Sequence, residues 1–208
     1  MIYKVENINN KLYSDDLFNT AYNNMSVERQ HRADRYIHTE DKRLCVFSDM
    51  LLRNMLKTYG VSDPIFSSTE KGKPVLVNSD LHFNISHSKS LIACVIDTRP
   101  VGIDIQCYKD LDLDRIRNKI CTDEENQFIL NSTDSADYQE HLRRFCMIWT
   151  AKEAYLKYTG EGISGELKHI SVANQDGMKE KLGDNISLFC VAEKDYALSV
   201  VTENPINN

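Results

Sequence analysis

The chain has 208 residues, 41% of them hydrophobic, so it can bury a core as one large domain or as two compact halves. Its formal net charge of −6 provides no overall basic field for a nucleic-acid backbone, and any anionic ligand must be bound by a local group of cations. No segment reaches the roughly 20 apolar residues of a membrane span, and the first residues lack a signal-peptide pattern. We therefore expect a cytoplasmic protein that binds neither nucleic acid nor membrane.

The cysteines give no sign of a metal site. The chain has six, with no CxxC pair and no zinc-type spacing to histidine. Most lie in apolar runs, as Cys94 does, so we expect reduced residues buried in the core.

The first half of the chain predicts helices followed by strands. After a short N-terminal strand, a helix starts at Ser26, and apolar residues at helical spacing predict a second helix over residues 40–59, ended by Gly60. Strict alternation in Leu81–Ser86 and the apolar run Leu91–Ile96 then predict two strands.

The second half repeats this order. Val101–Gln106 alternates as a strand, and we expect it to form an antiparallel pair with Leu91–Ile96 across a tight turn. Helices are predicted at residues 110–120, from the capping box Thr122–Glu125 to Leu130, and along Tyr138–Tyr158. Alternating runs in Leu167–Val172 and Ile186–Val201 predict a C-terminal β-meander. The repeated order indicates an α+β fold of two similar halves.

A carboxylate between two lysines marks the last long helix. Glu153 has Trp149 one turn before it and Lys157 one turn after it, and Lys152 lies on its flank. The simplest interpretation is a surface ion pair worth a few tenths of a kcal/mol. Because the helix is otherwise apolar, however, Glu153 is expected at the edge of a buried face, where it needs a cation or a metal ion as partner.

Asp104 is the second carboxylate of interest. It projects from the polar side of a strand, and Gly102 would let another backbone or a ligand approach closely. An ordinary solvent-facing aspartate is an equally good interpretation of this residue alone. Paired with Glu153, however, it would supply the oxygen ligands that suit Mg²⁺ held also by substrate phosphates.

Cations are concentrated in the first half of this acidic chain. His87 follows a strand in the segment Asn84–Ser88, and further basic residues are Arg29, Arg32, Arg35, Arg43, Lys71 and Lys73. Each has a simple explanation as a structural hydrogen-bond donor, a basic turn or a solvated helix residue. Together they indicate a site for a phosphate-bearing ligand.

Four motifs in fixed order resemble those of the 4′-phosphopantetheinyl transferases of the larger, surfactin-synthetase-activating type. They are Lys71–Pro74, Phe83–Ser88, Pro100–Ile105 and Trp149–Lys157, within a resemblance covering residues 26–165. The resemblance implies a monomer of two α+β halves in a pseudo-two-fold arrangement, with the active site in the cleft between them. Residues 1–100 would bind the nucleotide end of coenzyme A, and residues 101–208 would carry the metal site, a long helix at 138–159 and the meander.

The resemblance also implies a reaction and a set of roles. The phosphopantetheine arm of coenzyme A would pass to a serine of an apo acyl, polyketide or nonribosomal-peptide carrier protein, releasing 3′,5′-ADP. Asp104 and Glu153 would bind Mg²⁺ or Mn²⁺, Glu153 would also accept the serine proton, Lys157 would hold the phosphates, and Lys152 would support the metal site. The residues implied at the nucleotide end are Arg29, Arg32, Arg43, Lys73, Ser86 and His87.

One position departs from the family pattern. Gln106 stands where the larger enzymes often have a third acidic ligand, and its amide oxygen would bind the metal ion directly or through water. Glu125 matches a further glutamate near the metal, but its capping box explains it equally well. The departure leaves open a non-catalytic protein of the same fold that binds coenzyme A or docks on carriers. We expect the surfaces that select a carrier in residues 131–137 and 160–166.

Overall fold

The computed structural model describes residues 1–108, 113–131, 137–162 and 167–204. The first half contains β1 (Ile2–Asn7), α1 (Asp15–Asn23), α2 (Val27–Asp34), α3 (Thr39–Thr58), β2 (Phe66–Ser68), β3 (Pro74–Leu76), β4 (His82–Ser88) and β5 (Leu91–Asp97). The second half contains β6 (Val101–Cys107), α4 (Leu113–Ile120), α5 (Asp123–Leu130), α6 (Tyr138–Thr159), a 3₁₀ helix (Leu167–His169), β7 (Ala173–Asn174), β8 (Gly177–Met178), β9 (Lys181–Gly183), β10 (Ile186–Ala192) and β11 (Tyr196–Thr202).

Two antiparallel sheets pack face to face between two long helices. One sheet has the order β1-β5-β4 and the other has the order β6-β11-β10-β9. Their inner faces share a core that includes Val95, Ile103 and Val200. α3 covers the outer face of the first sheet, and α6 covers the outer face of the second. The predicted α+β class is therefore confirmed, as helix, sheet, sheet and helix in four layers.

The predicted pairing of β5 with β6 is wrong. β5 already has β1 on one side and β4 on the other, so neither edge of β5 can accept a third strand. The chain instead crosses at residues 98–100 into the second sheet, where β6 pairs with β11. The tight hairpin of this region joins β4 to β5.

The predicted helix caps are confirmed at three positions. Ser26 caps α2 with its side chain, the capping box at Thr122 and Glu125 starts α5, and Gly160 ends α6 in the left-handed conformation with φ 73°. The C-terminal meander is present as β9, β10 and β11.

Other local predictions need correction. Leu167–Val172 is not a strand, because it begins as a 3₁₀ helix. The sequence interpretation missed α1, although Ser14 caps it by accepting a hydrogen bond from the amide of Leu17. Residues 109–112 of the predicted helix 110–120 lie outside the described residues. So do residues 132–136 and 163–166, which form most of the two segments expected to select a carrier.

All six cysteines are free thiols, and four of them are buried, while Cys45 and Cys190 are partly exposed. Within the described parts of the chain, none of the helices combines the length and hydropathy needed to cross a membrane.

The two sheets are joined by side chains rather than by a strand ladder. β6 is an edge strand, and alternate residues of β4 accept hydrogen bonds from its backbone amides. The bonds run from Ile103 N to Asn84 Oδ1 (3.0 Å), from Ile105 N to Ser86 Oγ (3.4 Å) and from Cys107 N to Ser88 Oγ (3.0 Å). This β4–β6 joint satisfies donors that would otherwise be buried without partners, and it fixes the alignment of the two halves.

Gly102 is the point where α6 lies closest to β6. A Cβ atom at Gly102 would lie 2.1 Å from the carbonyl oxygen of Ala154 and 2.5 Å from the backbone nitrogen of Tyr158. Both are backbone atoms of α6, so a side chain could fit only if the whole helix moved away.

Gly102→Ala should therefore destabilise the protein by about 1–3 kcal/mol or more, because α6 must shift to admit the methyl group. Urea unfolding measures this difference. Gly177→Ala is the matched control, since no atom lies within 4 Å of the Cβ position there. Equal stability of the two variants would contradict the close approach of α6 to β6.

Candidate active site

Asp104 lies where the two halves meet, and only 6% of its surface is exposed. Its Oδ1 atom accepts two hydrogen bonds, one of 2.7 Å from the Ser86 hydroxyl and one of 2.6 Å from the Lys157 ammonium. Lys157 Nζ also donates to Ser86 Oγ at 3.0 Å. One residue of β4, one of β6 and one of α6 therefore form a closed triangle of contacts.

Glu153 lies one turn before Lys157 on α6 and is 9% exposed. Burial, and then the negative charge of Asp104, raise the pKa of the Glu153 carboxyl, while the Lys157 ammonium acts in the opposite direction. The two carboxylates are thus close enough to repel each other, and one lysine compensates them only in part. Two carboxylates in this arrangement have the oxygen ligands that suit a hard cation.

His87 follows Ser86 on β4, so its side chain points to the other face of the strand. The imidazole is surface-accessible, but desolvation by the atoms packed around it lowers its pKa, and so do the charges of Lys157 and Arg32. Asp41 and Asp104 act in the opposite direction. His87 is therefore within electrostatic range both of the lysine of α6 and of the ends of α2 and α3.

Arg29, predicted at the nucleotide end of coenzyme A, is engaged within the first half. Its Nε donates to Oδ1 of Asp49 at 3.1 Å, and Arg53 Nε donates to Oδ2 of the same carboxylate at 2.7 Å. Asp49 is 1% exposed, so both arginines compensate a buried charge, and Arg29 also ties α2 to α3.

Arg43 is likewise held inside the first half. Its Nη1 donates to Asp15 at 2.8 Å, and its guanidinium group lies over the rings of Phe18 and Phe47. These contacts attach α3 to α1, so the structure does not bring Arg43 and His87 together through any contact that it describes.

Lys73 lies at the C-terminal end of α6. Its Nζ donates to the carbonyl oxygens of Tyr158 (2.9 Å) and Val101 (3.4 Å), and burial lowers the pKa of the ammonium. Lys73 also lines a cleft of about 240 Å³ together with Pro74–Leu76 and Ser79–Phe83. It thus joins the β2–β3 hairpin to the second half.

Lys152 and Glu125 form a buried ion pair of 2.6 Å, and neither side chain is exposed. Lys152 Nζ also donates to the carbonyls of Ile120 (2.7 Å) and Leu167 (3.0 Å), and Glu125 accepts from the amides of Thr122 (2.7 Å) and Val172 (2.9 Å). The pair connects α4, α5, α6 and the 3₁₀ helix. Among the described residues no third acidic side chain is grouped with Asp104 and Glu153, so the structure does not bring Glu125 to them.

Gln106 lies two residues after Asp104 on the same face of β6. Its side-chain Nε2 donates to the carbonyl oxygen of Cys107 at 2.9 Å, and its side-chain oxygen takes no part in that bond. Among the residues that the structure describes, no three His, Cys, Asp or Glu side chains are grouped so that they could hold a metal ion. Besides Asp104, Gln106 is the residue of β6 that has a side-chain oxygen able to bind a cation.

The sequence interpretation missed the role of β4 in binding the edge of β6. The small polar residues Asn84, Ser86 and Ser88 recur at every second position, and this period-two pattern was a usable signal. The sequence interpretation assigned this segment to a site for a phosphate-bearing ligand. In the structure these side chains instead accept hydrogen bonds from the edge of β6. The spacing of Asp49 and Arg53 on one helix was a usable signal, whereas nothing local indicated that Arg29 on α2 is the second partner of Asp49.

The fold has two α+β halves, and the carboxylates and lysine at their junction are of the kind that suit an enzyme acting on a phosphate-bearing substrate. Family models agree: the 4′-phosphopantetheinyl transferase superfamily matches residues 100–201, and the N-terminal region described for 4′-phosphopantetheinyl transferase matches residues 13–99. The chain belongs to the 4′-phosphopantetheinyl transferase family.

Curated relatives are similar over most of the chain. The 4′-phosphopantetheinyl transferase Sfp of Bacillus subtilis (strain 168) is 34% identical over 74% of this chain and 68% of its own length. Another 4′-phosphopantetheinyl transferase of Bacillus subtilis is 32% identical over 87% of this chain and 83% of its own length. The 4′-phosphopantetheinyl transferase HetI of Nostoc sp. is 32% identical over 72% of this chain and 65% of its own length.

Glu125→Gln should lower the free energy of unfolding by about 3–5 kcal/mol, because it leaves the buried ammonium of Lys152 without its counter-charge. Glu140→Gln is the matched control. Glu140 pairs with Arg144 at 2.8 Å on the partly exposed side of α6, the helix that carries Lys152. Losing that pair should cost about 1 kcal/mol or less. Chemical denaturation compares the two variants, and a similar small loss in both would contradict the structural role of the buried pair.

Proposed function

We propose that the chain transfers the 4′-phosphopantetheine arm of coenzyme A to a serine of an apo carrier protein, in a Mg²⁺- or Mn²⁺-dependent reaction that releases 3′,5′-ADP. The observation that carries the proposal is the meeting of Asp104 with Glu153 and Lys157 at the junction of the halves. Family membership supports the transfer itself.

The donor set fits a divalent metal ion. Asp104 and Glu153 offer only oxygen atoms, and their mutual repulsion would be relieved by a cation between them. These two residues would hold the metal ion, with Gln106 as a further ligand directly or through water. When bound, the ion supplies positive charge that stabilises the phosphate groups during transfer.

Two side chains of the protein, Lys157 and Glu153, would take part directly in the transfer. Lys157 has three donors, and the ammonium can turn from Asp104 to phosphate oxygens of coenzyme A and stabilise the leaving 3′,5′-ADP. Glu153 would also accept the proton of the serine hydroxyl as that hydroxyl attacks the phosphate. No covalent intermediate is needed, because the serine attacks the phosphate directly.

The nucleotide end of coenzyme A would lie near His87 and Arg32. Besides burial, the charges of Arg32 and Lys157 both lower the pKa of His87, and this supports a cationic region at that end of the site. Roles for Arg29, Arg43, Lys73 and Ser86 at the nucleotide end stay predictions, because their described hydrogen bonds go to other protein groups. For Lys152 the contacts support holding α6 in place, with no direct bond to Asp104 or Glu153.

We propose that the protein acts as a monomer in the cytoplasm. The first half supplies Ser86 and His87, and the second half supplies Asp104, Glu153 and Lys157, so one chain provides both sides of the site. The free cysteines agree with a reducing compartment. The carrier would be an acyl, polyketide or nonribosomal-peptide carrier protein.

The deciding experiment incubates the protein with coenzyme A, Mg²⁺ and a panel of apo carrier proteins and records carrier masses. Wild type should add one phosphopantetheine group to at least one carrier, and Glu153→Gln should reduce the rate at least about 100-fold while retaining the fold. Glu140→Gln, on the same helix, should keep the wild-type rate.

Coenzyme A binding without mass gain on any carrier would instead support a non-catalytic protein that binds coenzyme A or docks on carriers. Full activity of Glu153→Gln would remove Glu153 from the mechanism.

A further inference from the structure

We propose that Asp49 is a positioning residue for coenzyme A: it holds the guanidinium group of Arg29 at Nε, so that the two Nη nitrogens are presented to a phosphate group of the ligand. This inference rests on the proposed function. It gives Arg29, which is bonded to Asp49, a second contact at the nucleotide end.

Asp49 is too deeply buried to contact a ligand. Only 1% of its surface is exposed, and it lies on α3 where that helix packs against α2. Arg29 Nε lies 3.1 Å from Oδ1, and Arg53 Nε lies 2.7 Å from Oδ2, so each carboxylate oxygen has one cationic partner. Asp49 can therefore act on a ligand only through these partners or through its charge.

Arg29 uses only part of its hydrogen-bonding capacity in this contact. A guanidinium group carries N–H donors on Nε and on both Nη nitrogens. Within the described part of the chain, no hydrogen bond of Arg29 starts from Nη1 or Nη2, and 22% of the side chain is exposed. The two Nη nitrogens form a flat edge, the Nη edge, that can bind phosphate oxygens in pairs.

Arg53 keeps the carboxylate of Asp49 in place. It lies one turn after Asp49 on α3, and its guanidinium group lies over the ring of Phe66 at 5.3 Å from the centroid. Because Arg53 holds Oδ2 and Arg29 holds Oδ1, the carboxylate cannot rotate without breaking one of the two bonds. Asp49 is thus a fixed point of attachment for Arg29.

The Nη edge of Arg29 borders the cationic region at the nucleotide end. Burial raises the pKa of the Cys45 thiol, while the charges of Arg29 and Arg32 both act to lower it, so the two arginines lie near the same side of α3. Besides burial, the charges of Lys157 and Arg32 lower the pKa of His87. Arg32 is therefore near both Cys45 and His87. Arg29 lies one turn before Arg32 on α2, within reach of a phosphate group bound there.

The direction of the effect distinguishes positioning from simple electrostatics. A negative charge near a bound anion weakens its binding, so removal of the Asp49 charge would by itself strengthen the binding of coenzyme A. If Asp49 holds Arg29 in place, its removal lets the guanidinium group move away, and binding should weaken. The two explanations predict opposite results.

Asp34 provides a matched control on the same two helices. It lies on α2, and Lys42 of α3 pairs with it at 2.9 Å. Asp34→Asn therefore removes one negative charge and one ion pair between α2 and α3, as Asp49→Asn does. Only Asp49→Asn removes the partner of Arg29.

The test measures the binding of coenzyme A to the full-length protein by isothermal titration calorimetry, with Mg²⁺ and without a carrier protein. Asp49→Asn should raise the Kd about tenfold, as expected for the loss of one charge-assisted hydrogen bond, whereas Asp34→Asn should stay within about twofold of wild type. When Arg29→Gln is already present, Asp49→Asn should cause no further loss, because its effect passes through Arg29.

A second ligand, 3′-dephospho-coenzyme A, identifies the phosphate group. If Asp49→Asn weakens only the binding of coenzyme A, Arg29 binds the 3′-phosphate. If it weakens the binding of both ligands equally, Arg29 binds the pyrophosphate. Both results support the positioning role of Asp49.

An unchanged or lower Kd for coenzyme A in Asp49→Asn would overturn the inference, as would an equal loss with and without Arg29→Gln. If Asp49→Asn does not fold, Asp49→Glu replaces it. That variant keeps the charge, but its longer side chain displaces Arg29, so the Kd should rise in the same direction.

The inference and the proposed function can fail separately. Transfer by the wild type together with an unchanged Kd in Asp49→Asn would defeat the inference alone. Weaker binding in Asp49→Asn, with no mass gain on any carrier, would defeat the proposed transfer alone. A wild-type protein that does not bind coenzyme A would overturn both.

Discussion

The β4–β6 joint is the interaction on which the rest of the site depends. An edge strand buried against another sheet has amides that must find acceptors, and β6 finds them on the side chains of Asn84, Ser86 and Ser88. Because these three residues lie on a strand of the first half, their bonds fix how β6, and with it the second half, is positioned along β4. The same alignment places Ser86 beside Asp104.

The second constraint is the position of α6 against β6. Gly102 admits the helix backbone, and the buried Lys152–Glu125 pair attaches the opposite side of the helix to α4 and α5. Because α6 is held on both sides, Lys157 contacts Asp104, and Glu153 lies within range of the Asp104 charge. Residues of one short motif thus have opposite tasks, since Lys152 fixes the helix while its neighbour Glu153 faces the site.

Local patterns in the sequence predicted α3, α6 and the capping box at Thr122. They failed where partners are distant in the chain. β6 pairs with a strand about 90 residues later, and nothing within its own seven residues indicates which sheet it joins. Glu125 and Lys152 likewise carry no local sign that each is the counter-charge of the other. Nor does the sequence around Arg29 or Arg43 show that these arginines pair with Asp49 and Asp15.

The central claim is that the junction of the two halves brings Asp104 and Glu153 to one metal ion, with Lys157 beside it. Crystals grown with Mn²⁺ and coenzyme A would test it most directly, by anomalous scattering at the manganese edge. The account predicts one strong peak within coordination distance of Asp104 and Glu153, adjacent to the pyrophosphate. A peak held by other side chains, or well-ordered coenzyme A with no metal ion at this pair, would contradict it.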